Sequence, residues 1–182
     1  MRPALALLAV LVTACSNPPP PPSLGSIPNF RLTDQTGQTF DSTKTLNGHV
    51  WVANFIFTNC MGPCPRMTSQ MRQLRNKATG DLQLVSFTID PDRDTPEVLT
   101  AYAKRFQADS RNWHFLTGTR ADLRKLSWDA FHLGDVNGDL EHSTRFVLID
   151  RKSNIRGYYD TSDTTSIPKL LNDIQQVTKE SL

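Results

Sequence analysis

Val50-Trp51-Val52-Ala53-Asn54-Phe55-Ile56-Phe57 is an apolar run of strand length, and after Thr58-Asn59 it is followed by Cys60-Met61-Gly62-Pro63-Cys64-Pro65. Bounded by polar turn residues and proline, the run reads as a buried strand, and Pro65 to Ala78 reads as the helix it feeds. The two cysteines thus stand at a strand-to-helix junction. Backbone N–H groups and the positive end of the helix dipole favour thiolate over thiol there, and thiolate is the form that exchanges disulfides or binds soft metals. At a spacing of four, two residues on a helical turn share one face, about 5–6 Å apart at Cβ. That is close enough to share one metal ion or to close a disulfide. Residue types alone leave redox chemistry, metal binding or both open.

Outward from this junction, strands and helices alternate. Phe30 to Asp34 and Thr39-Phe40, around Gly37, read as a small hairpin; Leu82 to Ile89, Trp113 to Gly118 and Arg145 to Asp150 read as strands. Asp94-Thr95-Pro96-Glu97 opens a helix that runs to about Gln107, with a capping side chain, a proline in the first turn and an early acid. Arg120 to Phe131 and Ser166 to Thr178 read as further helices, and Ile155 to Tyr159 as the hairpin partner of the last strand. Interleaved strands and helices predict an α/β protein, and the closing hairpin makes its central sheet mixed, with the first hairpin as an N-terminal extension. A thiol pair after the first long strand of such a chain points to a thioredoxin-like fold.

Two features depart from the usual thioredoxin pattern. The cysteines have three residues between them instead of two, and the turn before the strand Phe146 to Asp150 reads Glu141-His142-Ser143, without the proline expected beside the thiols. His142 is thereby expected within reach of the pair, and a general disulfide reductase loses ground.

The N-terminus tells of export. One early Arg2, the apolar stretch Ala4 to Val12 and the ending Val12-Thr13-Ala14-Cys15 form a signal too short to span a bilayer by itself. The tetrapeptide resembles a bacterial lipobox, so residues 1–14 are expected to be cleaved and Cys15 to be lipidated and become the first residue. Several acyl chains on one residue hold a protein at a membrane where a single chain binds reversibly. Ser16 in place of an aspartate hints, by resemblance to sorting patterns, at the outer membrane. Residues 15–23 contain five consecutive prolines, Pro18 to Pro22, a stiff polyproline II spacer of about 3 Å per residue. Residues 24–182 then form one domain with a sizeable core. The whole chain has 20 Lys and Arg against 18 Asp and Glu, and loss of Arg2 leaves 19 against 18. Nothing in that balance suggests nucleic acid or an electrostatic membrane patch.

Three segments carry a family resemblance. Phe57-Thr58-Asn59-Cys60-Met61-Gly62-Pro63-Cys64-Pro65 resembles the thiol motif of the Sco/SenC copper chaperones of cytochrome c oxidase assembly. Ile89-Asp90-Pro91-Asp92-Arg93-Asp94-Thr95-Pro96-Glu97, and Glu141-His142-Ser143 before the strand Phe146 to Asp150, match the same family in order and separation. The resemblance covers roughly residues 27–178. It implies a thioredoxin fold binding one copper ion, Cu(I) or Cu(II), through Cys60, Cys64 and His142. It also implies delivery to the dinuclear copper site of cytochrome c oxidase subunit II. Because an envelope compartment oxidises exposed thiol pairs and a disulfide cannot bind copper as two thiolates, a separate thioredoxin-like reductant is expected to keep the pair reduced. Thiolates with an imidazole are a soft, nitrogen-assisted set suited to copper. Met61 stands where proline is frequent in that family, and Glu141 where aspartate is common; neither change removes a proposed ligand, and Met61 reads as a packing residue in preference to a soft auxiliary ligand.

The other candidates read more simply. Met61 is expected to pack beside the site, and Met67 and Met71, four apart, to be core contacts. His49 reads as a surface or turn residue, His114 and His132 as packing or solvated histidines. Asp135-Val136-Asn137-Gly138-Asp139 opens like a calcium loop, but Phe146 occupies the position of the bidentate glutamate, so it reads as a polar turn. Asp90 belongs to ordinary Asp-Pro turn chemistry, with orientation of a site loop as the alternative. The expected function is an envelope copper metallochaperone, lipid-anchored and facing the periplasm. The rivals are a thiol-disulfide reductase using Cys60 and Cys64 and a redox or copper sensor.

Overall fold

In the computed structural model the structure describes residues 19–78, 80–133 and 143–180. At its centre lie three parallel strands, β3 (Trp51–Ile56), β4 (Gln83–Thr88) and β5 (Trp113–Thr117), every residue of which is buried. β4 pairs with β3 from Trp51↔Gln83 to Ile56↔Thr88 and with β5 from Leu84↔Trp113 to Phe87↔Leu116. Strands buried on both faces need no apolar–polar alternation, which is why they read in the sequence as near-continuous hydrophobic runs.

Antiparallel strands flank this core. The hairpin of β1 (Arg31–Asp34) and β2 (Thr39–Asp41) joins through β1 to β5, and β6 (Arg145–Ile149) pairs with β3 and carries β7 (Ile155–Asp160). The result is one seven-stranded mixed sheet in the order β2-β1-β5-β4-β3-β6-β7. Between β2 and β3 comes the single turn α1 (Ser42–Thr45).

Successive residues of β3 face opposite sides, as strand geometry demands. Val52 and Ile56 join a cluster with Met67, Met71 and Leu74 of α2 (Pro63–Lys77), Leu99 and Tyr102 of α3 (Pro96–Arg105), and Leu170 and Ile174 of α5 (Ser166–Lys179). Met67 and Met71 are therefore core contacts, as their spacing predicted. Trp51, Ala53 and Phe55 face the other way, toward Leu123 of α4 (Arg120–Lys125) and Leu126, Ala130 and Phe131 beyond it.

The expected elements are present, with shifts that have physical causes. α2 begins at Pro63, two residues earlier than expected, because proline is preorganised for the first helical position. The helix expected from Arg120 to Phe131 is α-helical only to Lys125; Leu126–Ala130 is a π-helical turn closed by Phe131 N–H donating to the Leu126 carbonyl at 2.8 Å. That turn seats Phe131 among Trp51, Phe55 and Phe87 at ring-centroid distances of 6.0, 5.3 and 5.4 Å. At the other end of the chain, Arg156 Nε donates to the Pro21 carbonyl at 2.8 Å and Leu24 N–H to the Ile155 carbonyl at 2.8 Å. Pro21, near the end of the proline run, therefore contacts β7 through its carbonyl.

Candidate functional site

The parallel strands β3 and β4 end on one edge of the sheet, and the thiol pair sits there. After Ile56 the chain turns, Cys60 N–H donating to the Phe57 carbonyl at 3.3 Å, and Gly62 then caps α2 without a side-chain hydrogen bond. Cys64 occupies the first turn of α2, buried in the core cluster with Met67 and Tyr102, while Cys60 lies in the preceding loop, half-buried. This corrects the expectation of two cysteines on one helical face. Cys60 precedes the helix, and the loop brings its sulfur to the N–H groups of Gly62 and Cys64. A Cβ on Gly62 would lie 3.9 Å from that sulfur.

The two thiols are driven apart electrically. Partial burial opposes ionisation of Cys60, but the Cys64 N–H, the Cys64 thiol and the Gly62 N–H outweigh it and hold Cys60 below the ordinary thiol range. Burial pushes Cys64 up to about 12, and the hydrogen bond and charge of Cys60 add to the rise. One sulfur is thus disposed to be a thiolate and the other a thiol, and both are free. Behind them Thr68 Oγ1 donates to the Cys64 carbonyl at 2.9 Å, and Tyr102, 2.9 Å from Thr68 Oγ1, is left as donor to it. Burial pushes Tyr102 up to about 12.

Asp94 lies under the loop, completely buried. Its Oδ1 accepts from Thr58 Oγ1 at 2.5 Å, and its Oδ2 from Thr58 N–H at 3.1 Å and Thr88 Oγ1 at 2.5 Å. Thr95, not Asp94, caps α3, its Oγ1 accepting from Val98 N–H. Asp90, for which orientation of the site loop is the alternative reading, makes turn contacts: its N–H donates to Thr88 Oγ1 at 2.9 Å and its carboxylate faces Arg93 at 3.4 Å. Sequence reading missed both Thr58 and Asp94. The signal was an aspartate and a threonine inside recognised motifs, masked because Asp-Thr-Pro also spells a helix start.

Met61 is fully exposed, which overturns its expected packing beside the site. The Cys60–Cys64 loop holds its central side chains outward while the sulfurs turn in. His49 Nδ1 pairs with Asp81 at 2.7 Å, away from the thiols in sequence and fold; His114 is buried on β5 against Phe40, and His132 is exposed.

Cys15, the signal of residues 1–14, the segment Asp135 to Asp139, Glu141 and His142 all lie outside the described residues. Among the described residues no three His, Cys, Asp or Glu side chains cluster to hold a metal. The described chain resumes at Ser143, just before β6, and β6 runs antiparallel to β3. Ser143 accordingly belongs to the sheet edge at which β3 ends. Nearby, Arg66 and Gln70 of α2 both donate to the Thr161 carbonyl, the latter at 3.1 Å, while Thr161 N–H donates to the Thr144 carbonyl at 2.9 Å. α2, which carries Cys64, is thus tied to the start of β6.

Comparison with known proteins agrees with this architecture. A solved SCO1/SenC family lipoprotein from Bacillus anthracis is 38% identical, with a TM-score of 0.76 covering 85% of this chain and 96% of that one. The structure of BsSco, described as a member of the Sco family of cytochrome c oxidase assembly proteins with a disulfide switch, is 26% identical, with a TM-score of 0.78 over 90% and 100% of the two chains. A Stutzerimonas stutzeri protein named "Putative copper-binding protein" is 35% identical over 144 residues, 73% of this chain and 68% of that one. The fold is therefore thioredoxin-like. The SCO1/SenC family model matches residues 21–179, nearly the whole described chain, and the protein belongs to that family.

Proposed function

We propose that this protein is a copper metallochaperone of the cell envelope, holding one copper ion through Cys60, Cys64 and His142 and passing it to the dinuclear copper site of cytochrome c oxidase subunit II. The observation that carries the reading is the thiol pair itself: two free sulfurs on one sheet edge, one eased toward thiolate and the other buried. A soft dithiol suits Cu(I), and an imidazole extends the set to Cu(II). The named relatives add support, one through the name "Putative copper-binding protein" and one as a member of an oxidase-assembly family. His142 is favoured as third ligand because in the sequence it directly precedes Ser143, the residue that lies at the edge where β3 ends. Lipidation at Cys15, with the body facing the periplasm, is supported by the lipobox and by the lipoprotein relative. A thioredoxin-like reductant completes the cycle, since a Cys60–Cys64 disulfide has no thiolates to offer.

Titration of reduced protein with copper, against a Cu(I) chelator, tests the reading. One equivalent should bind, and Cu(II) should give a sulfur-to-metal charge-transfer band that Cys60→Ser or Cys64→Ser abolishes. Tight binding retained in both variants sinks it. A second reading, thiol-disulfide reductase, draws on the lowered Cys60 thiol beside a buried partner, an arrangement also suited to exchange. His142→Ala separates the two. A chaperone should lose copper retention by at least about tenfold, about 1.4 kcal/mol, with disulfide exchange intact; impaired exchange at unchanged copper affinity favours the reductase.

A further inference from the structure

Asp94 is an unusual carboxylate for its place. It is completely buried, it is not spent on the cap of α3, and both of its oxygens accept from hydroxyl or amide donors on the two central strands' exits. Through Thr58 it grips the chain two residues before Cys60; through Thr88 it grips the end of β4, whose Oγ1 also receives the Asp90 N–H at 2.9 Å. Its own N–H donates to the Asp90 carbonyl at 2.9 Å, which locks the turn that delivers it. Burying a carboxylate is costly unless its oxygens are satisfied by donors, and hydrogen bonds to a charged group are stronger than those between neutral groups. A sequence that only needed to start α3 has no use for this group, because Thr95 already performs that task.

We propose that Asp94 is a positioning residue for the thiol pair. By holding Thr58 with both its hydroxyl and its N–H, it fixes the loop from Phe57 to Cys60 against the end of β4, so that the Cys60 sulfur reaches the Gly62 and Cys64 N–H groups before any metal arrives. Cys64 needs no such device, because the rigid first turn of α2 and the core around Met67 hold it. The loop is the adjustable half of the site, and the clamp is what removes its freedom. Preorganisation of this kind raises affinity by cutting the ordering cost at binding. It also sets how readily the two sulfurs meet in a disulfide.

The proposal rests on the copper reading for one of its two consequences and stands without it for the other. The test therefore measures both, on reduced protein carrying Asp94→Asn, Thr58→Val or Thr58→Ser. Asp94→Asn sets an amide N–H₂ against the threonine donors; Thr58→Val removes the hydroxyl at constant shape; Thr58→Ser keeps the hydroxyl. Cu(I) retention is read by chelator competition, and the metal-free Cys60–Cys64 disulfide equilibrium is read against glutathione, both below the melting temperature of each variant. Asp94→Asn should weaken copper retention about tenfold and displace the disulfide equilibrium by a similar factor, Thr58→Val should move both in the same direction by about threefold, and Thr58→Ser should restore wild-type values. Variants that melt earlier yet keep wild-type copper retention and disulfide equilibrium overturn the proposal, since that is what a purely structural carboxylate does. Should wild-type protein fail to bind copper, the chaperone reading falls, and the disulfide arm alone decides the clamp.

Discussion

Cys60 and Cys64 carry the same side chain in opposite electrical settings because one lies in a loop and the other in a core. The N–H groups of Gly62 and Cys64 lower the Cys60 thiol, whereas burial lifts Cys64 to about 12. Nucleophilic rate follows thiolate fraction and access, and both favour Cys60. Brief treatment of reduced protein with iodoacetamide near neutral pH, followed by peptide mass mapping, should place the label on Cys60 at least about tenfold faster than on Cys64. Equal labelling would mean that the two environments do not differ as the hydrogen bonds require. Which residues carry the thiols was plain in the sequence, because spacing after an apolar strand is a local signal. What each sulfur is bonded to was not. Met61 illustrates the limit: an apolar side chain is expected to find a core, but nothing in Cys60-Met61-Gly62-Pro63-Cys64 says that the loop turns its sulfurs inward and leaves this thioether fully in water. Asp94 is the opposite case, a charged side chain that local pattern assigns to the surface of a helix start and that long-range contact with Thr58 pulls inside.

At the scale of elements, the central strands were legible because burial on both faces removes the ambiguity between strand and surface. Their edges and helix starts were less so, since a proline at a first turn or a π-helical turn such as Leu126–Ala130 depends on what the neighbouring rings require. β7 shows how tightly an element can be specified by its partner. Tyr159 donates from its hydroxyl to Asp173 of α5 at 2.7 Å, and its ring lies over Gly157, where an added Cβ would stand 2.7 Å from the hydroxyl oxygen and 2.9 Å from Cζ. Burial raises Tyr159 above the usual phenol range, and its bond to Asp173 works in the same direction. Two effects of opposite sign then compete in Gly157→Ala. Removing a strand glycine stabilises by about 0.5–1 kcal/mol, while overpacking a filled site costs about 1–3 kcal/mol and here also strains the Tyr159–Asp173 bond. The second is larger, so urea unfolding should show a net loss of about 1–2 kcal/mol. A neutral or stabilised variant would mean that the ring moves aside freely.

The whole molecule buries apolar side chains on both faces of its sheet, and on the face beneath the N-terminal hairpin it also buries His114. This side chain sits on β5 with its ring 4.9 Å from Phe40, and its Nε2 has no hydrogen-bond partner among the described residues. Burial pushes its pKa below the ordinary 6.5, and the nearby charge of Asp34 offsets only part of that. The folded state therefore prefers neutral imidazole, whereas the unfolded chain takes up a proton as pH falls through about 6.5. Where the unfolded state binds more protons, stability rises with pH. The contribution of His114 is thus fully present above about 6.5 and is lost as pH falls from there toward the lower folded value. Asp150 and Glu180, which bind Arg156 at 3.1 and 2.5 Å, have pKa values held below the ordinary carboxylate range, so their contribution fades at lower pH. Two descending steps should then be separable in urea midpoints measured from pH 8 down to pH 3. The step nearer neutrality belongs to the histidine, and His114→Phe, which keeps a planar ring against Phe40 without a titrating nitrogen, should flatten it while leaving the acidic step in place. Persistence of the same loss just below pH 6.5 in that variant would assign it to another group and return His114 to the role of an inert packing residue.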